Sequence, residues 1–350
     1  MHYRSSFFLK KIFLCYTKKE RERSEVLILA NINEIAKLAG VSNATVSRVI
    51  NKQNYVSEQT RARVQAVIDE LDYVPNLNAV SLKKGATKLI GIVAPTFSDS
   101  LNVFIRSFTV AAQEHGYNVT LFMTNINRDK ELVALEMLRR KQIDALVLVI
   151  RSNDWETIEP YTKYGPIVTW QRVLNQKIPS VFMNQYDGYM LGLEHLYEKG
   201  YRRITNVYGV TSGLNTQSRM QAYLDFCNQH ELDPHAVRHF YGMGTRKQGE
   251  ELVHWFKETQ TKPDAFFTPN DYLAAGIVSE ARRQNLSIPK DFAVCGFDDL
   301  ELSHLLDITT IHYPIDKQAI NAFTIIRNEL DGTNDAVEEL EFRLVIRQTT

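Results

Sequence analysis

The sequence predicts a small all-α headpiece followed by a larger α/β core of two parallel-sheet subdomains. Three observations carry that expectation. Between Asn31 and Pro75, apolar residues recur at helical spacing in three short runs, the first two separated by a Gly-Val-Ser turn. From Leu89 onward, apolar strand-like runs alternate with amphipathic helical ones, the rhythm of parallel sheets covered on both faces. The chain is 350 residues long, with 44% AVILMFWYC and 23% charged residues. These are ordinary values for a globular protein of two or three domains.

Lys+Arg and Asp+Glu balance at 41 each, so any affinity for a polyanion has to reside in a local patch. The three cysteines, Cys15, Cys227 and Cys295, are far apart, fit neither a disulfide framework nor a zinc spacing, and suit a reducing cytosol. No run approaches the roughly 20 apolar residues that span a bilayer, so no membrane association is expected. The opening "MHYRSSFFLKKIFLCYTKKERERSE" lacks a signal-peptide pattern, because Lys10 and Lys11 split its apolar stretch and no small-residue cleavage site follows. Residues 1–29 are read as an N-terminal extension, of which residues 1–28 are expected to come from a start placed too early. Lys18 to Arg23 can be encoded almost entirely by purines, and Leu29 can be a UUG start read as leucine.

In the headpiece, residues 30–75, Asn31 and Glu34 have capping-box spacing, Ile35, Leu38 and Ala39 follow at helical spacing, and Gly40 supplies the stop. A second helix begins after Ser42. At about 100° per residue, Val46, Val49 and Ile50 fall on one side of it. Asn43, Ala44, Ser47, Arg48 and Asn51 fall on the other. A third helix follows Ser57, with Val64, Val67, Ile68 and Leu71 along one stripe. Two short helices across a tight turn, buttressed by a third, form the helix-turn-helix plan, whose second helix fits the DNA major groove. Asn43 can pair with a base edge, Ala44 permits close approach, and Arg48 can reach guanine with two parallel hydrogen bonds. Ser42, Thr45, Ser47 and Asn51 suit phosphate contacts, which position without specifying. A solvated face on an ordinary three-helix unit is the plainer reading of the same residues.

The next segment favours the DNA reading. Asn76 to Leu82 can form only one or two helical turns, too short to persist in water, and Lys83, Lys84 and Lys88 follow. Such a segment, residues 76–88, makes sense as a hinge that folds on binding and pushes an apolar side chain into a minor groove. Here the chain resembles the LacI/GalR family of bacterial transcription regulators, and within it "ANINEIAKLAG" and "RRKQIDALVLVIRSNDWETIEPYTKYGP" look most like the catabolite control protein B subgroup. "INEIAKLAGVSNATVSRVIN", "YVSEQTRARVQAVIDELDYVPN" and "NAVSLKKG" carry the resemblance and cover nearly all of residues 31–85. It implies a homodimer on near-palindromic double-stranded operator DNA. Asn43, Ala44 and Arg48 would read bases, Asn76 and Ala79 would lie on the hinge helix, and Leu82 would wedge at the operator centre.

In the core, residues 89–350, the clearest strands are read at 89–95, 118–125, 144–150, 166–170, 204–210, 265–271 and 292–299. Helices are read at Lys130–Lys141, Tyr189–Lys199, Gln217–His230 and Leu273–Asn285. Two such sheets leave a cleft beyond the strand C-termini, the usual place for a small ligand. The resemblance extends here more loosely and implies a periplasmic-binding-protein-like core that binds a small effector, a sugar or sugar phosphate. It places Arg219 of "QSRMQAY", Asn270 of "TPND" and Asp298 of "GFDD" at that ligand, and their donors and acceptors suit vicinal hydroxyls. Some catabolite-control relatives answer instead to a phosphorylated carrier protein. Two departures stand out. "TFSDSLNVF" replaces the family's Asn-Pro-aromatic stretch, leaving Ser98 and Asp99 as candidates for the cleft. "TWQ" replaces an acidic sugar contact, and Trp170 either stacks on a sugar ring or packs the core.

Enzyme motifs are missing. "GIVAPTFSDS" is no phosphate-cradling glycine loop, and no GxSxG elbow appears. His235 and His239 of "HAVRH" lack the glutamate of a zinc-protease motif and read as an exposed loop pair. No cofactor, metal or catalytic residue is expected. The chain ends without a heptad tail, so no coiled-coil tetramer is expected either. The sequence therefore predicts a cytoplasmic, ligand-controlled DNA-binding repressor of carbohydrate or catabolite genes.

Overall fold

Asparagine, glycine and serine side chains punctuate the headpiece as the spacing demands. In the computed structural model, which describes residues 31–74, 85–173 and 177–350, Asn31 Oδ1 accepts from Glu34 N at 3.1 Å and opens α1 (Ile32–Ala39). Gly40 closes it at φ 62°, a left-handed conformation that costs glycine nothing. Ser42 caps α2 (Asn43–Ile50), and Ser57 caps α3 (Glu58–Glu70). Ile35, Ala39, Val46, Val49 and Val64 make the buried centre, with Ile50, Val67, Ile68 and Leu71 around it. Leu38, expected in the apolar stripe, is 59% exposed. Eight residues make only about two turns, and the α1 stripe is filled by Ile35, Ala36 and Ala39.

The chain divides into two compact units at Gly85/Ala86. The second contains two sheets. The first has the order β2-β1-β3-β4, all parallel, from β1 (Leu89–Ala94), β2 (Asn118–Met123), β3 (Ala145–Leu148) and β4 (Ile167–Thr169). Its helices are α4 (Asp99–Glu114), α5 (Arg128–Arg139) and the short α6 (Trp155–Ile158). The second sheet runs β5-β6-β7-β8-β9. Its parallel strands are β5 (Ile204–Asn206), β6 (Ala265–Phe267), β7 (Ala293–Asp298) and β8 (Thr309–His312), and β9 (Arg343–Val345) lies antiparallel to β8. Around it are α7 (Gln185–Glu198), α8 (Leu214–Gln229), α9 (Arg246–Glu258), α10 (Asp271–Arg283) and α11 (Glu301–Leu305).

The chain crosses between subdomains three times. It passes from β4 to α7, returns after β8 into α12 (Ile315–Asp331), which packs on α4, and passes back to β9. Phe323 of α12 meets Phe108 of α4 edge-on at 5.8 Å between ring centroids, an arrangement aromatic rings favour. In the second subdomain Tyr189 stacks on Phe267 at 4.1 Å. The seven strands read from the sequence all occur. β8, β9, α4, α9 and α12 were outside that reading, and "TFSDSLNVF" proves to be the start of α4, capped by Ser98.

The residues that open the second unit are tied to its core. Asp144 accepts from Thr87 N at 2.9 and 3.0 Å, from Thr87 Oγ1 at 2.9 Å and from Lys88 N at 2.7 Å. Lys88 Nζ reaches Asp331 at 3.0 Å and sits 3.9 Å from the Tyr117 ring centroid. Lys88, read from sequence as part of a basic hinge end, is therefore committed to the core. We predict that Asp144→Ala costs about 2 kcal/mol, as expected for losing charge-assisted hydrogen bonds. Urea unfolding of the variant against the parent measures it.

Candidate nucleic-acid interface and ligand cleft

The headpiece and the cleft lie in different units, and each is built by local geometry. In α2 the apolar side is buried through Val46 and Val49, which leaves Ser42, Asn43, Ala44, Arg48 and Asn51 exposed and Thr45 and Ser47 half-buried. Several polar side chains are already engaged. Ser42 Oγ accepts from Thr45 N and pairs with Thr45 Oγ1, Asn43 Nδ2 donates to Asn33 Oδ1 at 2.6 Å, and Asn51 Nδ2 donates to Ser47 O at 2.7 Å. Among the described residues Arg48 has no hydrogen-bond or ion-pair partner, so its five donors are unspent. Asn76, Ala79 and Leu82 lie outside the described residues, as do residues 1–30.

The cleft has a volume of about 550 Å³, within the range of small-molecule sites. Strand ends and helix starts build it. Thr96 and Ser98 follow β1, Val149 and Ile150 follow β3, and Trp170 to Arg172 follow β4. Pro269 and Asn270 follow β6, Asp298 ends β7, and Gly213, Leu214 and Asn215 begin α8. Two hydrogen bonds clasp the subdomains together across it. Ser100 Oγ of α4 donates to Asp298 Oδ2 at 2.8 Å, and Arg172 Nη1 donates to Ser218 Oγ of α8 at 3.0 Å.

Of the residues named from sequence, Ser98, Trp170, Arg219, Asn270 and Asp298 line this cleft. Asp99 lies instead in a second hollow of about 640 Å³, with Asn102, Arg106 and the Asp299 side. Ser98 Oγ caps α4 through Leu101 N at 3.2 Å. Asn270 caps α10, accepting from Leu273 N at 2.9 Å, while its Nδ2 donates to Gly244 O. Trp170 stacks on Phe104 at 4.9 Å, and its Nε1 donates to Gln318 Oε1 at 3.1 Å, so it packs the core as well as edging the cleft. Arg219 is 6% exposed. Its Nε donates to Gln185 Oε1 and its Nη1 to Pro269 O, both at 2.8 Å, and the guanidinium lies 3.9 Å from the Phe297 ring centroid. Ser100, Arg172, Gln185, Asn215 and Gln318 were not singled out from sequence. Ser100 lies within the first of the two segments where the family pattern breaks, and Arg172 directly follows the second.

The carboxyls beside the cleft differ sharply. Burial pushes Asp271 up to about 8 and Asp298 up to about 6, the latter opposed by Arg219 and the Ser100 hydroxyl. Burial also acts on Asp299, but His312 and Arg347 outweigh it and hold that group at about 2. "HAVRH" departs from its reading. His235 is exposed, whereas His239 is half-buried, accepting from Asn206 N at 3.1 Å and bonded to Pro234 O at 2.8 Å. Those bonds make it part of the β5 support. Among the described residues no cluster of His, Cys, Asp and Glu suits a metal, and no helix is long and apolar enough to cross a membrane.

Asp271 and Asp298 ionise less readily folded than unfolded. Their stabilising contribution is therefore complete below about pH 4 and declines as pH rises, up to about 6 for Asp298 and about 8 for Asp271. Asp271→Asn keeps an acceptor for Leu300 N and replaces the oxygen that accepts from Thr310 Oγ1 with an amide that donates to it, while removing the titrating carboxyl. We predict that it flattens the fall in unfolding free energy between pH 6 and 8, measured by urea titration at several pH values.

Residues 31–76 match the model of bacterial regulatory proteins of the lacI family, and residues 193–350 match a periplasmic binding protein-like domain. The HTH-type transcriptional regulator YkvZ of Bacillus subtilis (strain 168) is 34% identical over 325 residues, 92% of this chain and 100% of the relative. Catabolite control protein B of the same organism is 33% identical over 301 residues, 85% and 94% of the two chains. Among solved structures, a lac repressor dimer bound to operator and an anti-inducer superposes with TM-score 0.78 at 24% identity, covering 91% of this chain and 98% of that one. A LacI family regulator from Lactobacillus casei with bound glucose gives 0.66 at 25% identity, covering 75% and 99%.

Proposed function

Because this chain belongs to the lacI family of bacterial regulatory proteins, we propose that it is a sequence-specific repressor of carbohydrate or catabolite genes, controlled by a small ligand in the core cleft. The observation that carries the reading is the exposed polar face of α2, with Ala44 and an Arg48 that has no partner among the described residues, presented from a packed three-helix unit. A helix of that size fits the major groove of B-DNA, and alanine beside arginine combines close approach with guanine readout. Asn43 would join them at base edges once its bond to Asn33 is exchanged for a base. Ser42, Thr45, Ser47 and Asn51 would face phosphates.

Residues 30–75 would form the DNA-binding domain, 76–88 the hinge with Asn76, Ala79 and Leu82, and 89–350 the sensor. One recognition helix reads only a few base pairs, so a homodimer on a two-fold-related operator follows. Ser98, Trp170, Arg219, Asn270 and Asp298 would meet the effector. Its binding energy acts on the DNA through whatever difference it makes between the subdomains' arrangements, and operator DNA must change effector affinity by the same factor. The reading is of a non-enzymatic cytoplasmic regulator.

Gel shift on the gene's own upstream region tests it. Arg48→Ala should weaken binding about ten-fold or more, the cost of a lost bidentate base contact, and Leu82→Ala should also weaken it. If neither changes binding, the assigned readout is wrong. Affinity should also fall steeply with salt as phosphate contacts release counterions.

A further inference from the structure

Resting on the cleft being the effector site, we propose that the effector is a phosphorylated polyol whose phosphate seats at the start of α8, against Arg172 and Arg219. Four observations converge there. First, α8 starts at Gly213 with no capping side chain and no acid in its first turn. The amides of Leu214, Asn215 and Thr216 have no acceptor among the described residues. Such an end carries partial positive charge and unspent donors. Second, Arg219, one turn further along the same helix, is a nearly fully buried guanidinium with no carboxylate within ion-pair distance among the described residues. Asp298 acts on it only from beyond ion-pair distance and is itself bonded to Ser100, so a bound anion supplies the close contact that the fold leaves out.

Third, Arg172 comes from the other subdomain and is held against α8 by Ser218. It too has no ion pair among the described residues, and its guanidinium lies 5.7 Å from the Phe182 ring centroid. Fourth, Asn215 Oδ1 is buried without a donor at the cleft wall, an acceptor that a ligand hydroxyl satisfies. The charge at this end of the cleft is two guanidiniums and a helix start. Among the described residues that line the cleft, the one carboxylate, Asp298, belongs to the other clasp with Ser100. The ligand therefore lies with its phosphate at the α8 end and its hydroxyls toward Asp298. A dianion matches that positive end better than one carboxylate does, and a neutral sugar leaves it unmatched.

The test uses the full-length chain and isothermal titration with matched pairs: glucose and glucose 6-phosphate, fructose and fructose 6-phosphate, ribose and ribose 5-phosphate. Gluconate serves as the carboxylate arm and orthophosphate as the bare anion. We expect at least one phosphorylated member to bind about ten-fold or more tighter than its neutral partner, the scale of one charge-assisted contact. Arg172→Gln should reduce that ratio to below about three-fold, and Arg172→Lys should restore most of it, which separates a charge effect from a folding failure. Neutral sugars binding as tightly as their phosphates would overturn the proposal. So would gluconate surpassing every phosphate, a ratio unmoved by Arg172→Gln, or no binding of any phosphate including orthophosphate. Gel shift with the same preparation reads the regulator assignment separately, since operator binding without anion selectivity defeats only this inference.

Discussion

A single buried carboxyl, that of Asp271, holds the turn on which the cleft depends. It accepts from Leu300 N at 2.7 Å and Thr310 Oγ1 at 2.5 Å, and so pins the chain just after β7 to the start of α10. Just before the Leu300 anchor, Asp298 and Asp299 adopt φ values of 109° and 57°, conformations that cost a non-glycine residue roughly 1–3 kcal/mol each. The strain sends two adjacent carboxylates different ways. Asp298 turns to the cleft and Ser100, whereas Asp299 pairs with Arg347 and His312. The close passage of the Asp271 carboxyl over β7 also explains Gly296, where a Cβ would collide with Asp271 Oδ1.

Much of this was legible in the sequence, for physical reasons that vary by region. The headpiece announces itself because each helix boundary has its own chemistry: Asn31, Ser42 and Ser57 cap, Gly40 stops, and apolar spacing does the rest. Buried parallel strands announce themselves as unbroken apolar runs, as at Leu89–Ala94 and Ala145–Leu148. β8, "TTIH", and β9, "RLV", are short and carry polar residues, so periodicity could not separate them from loop. α4 was hidden because Ser98, Asp99 and Ser100 look like turn residues, although Ser98 acts as a cap.

The cleft was less legible than the fold. Residues such as Arg219 and Asp298 stand in recognisable local patterns, but Gln318 has none. Its amide donates to Val181 O at 2.6 Å and its carbonyl accepts from Trp170, joining segments about 140 residues apart in sequence. Gln185 likewise earns its place only by facing Arg219. The Gln318 contacts exist only once the chain has returned from the second subdomain, and for neither residue does a local window contain both partners.

Those three crossings also set an order of events for a chain made from its N-terminus. Residues 31–74 close their own core from contiguous sequence and can fold as soon as they emerge. The first sheet is complete by Thr169, yet the helix that covers it against α4 spans Ile315–Asp331. The second sheet waits for Arg343–Val345. Neither half of the sensor is a vectorial folding unit, and both mature together after nearly the whole chain has been synthesised. A nascent molecule thus possesses its DNA-reading surface well before it possesses the means to regulate it.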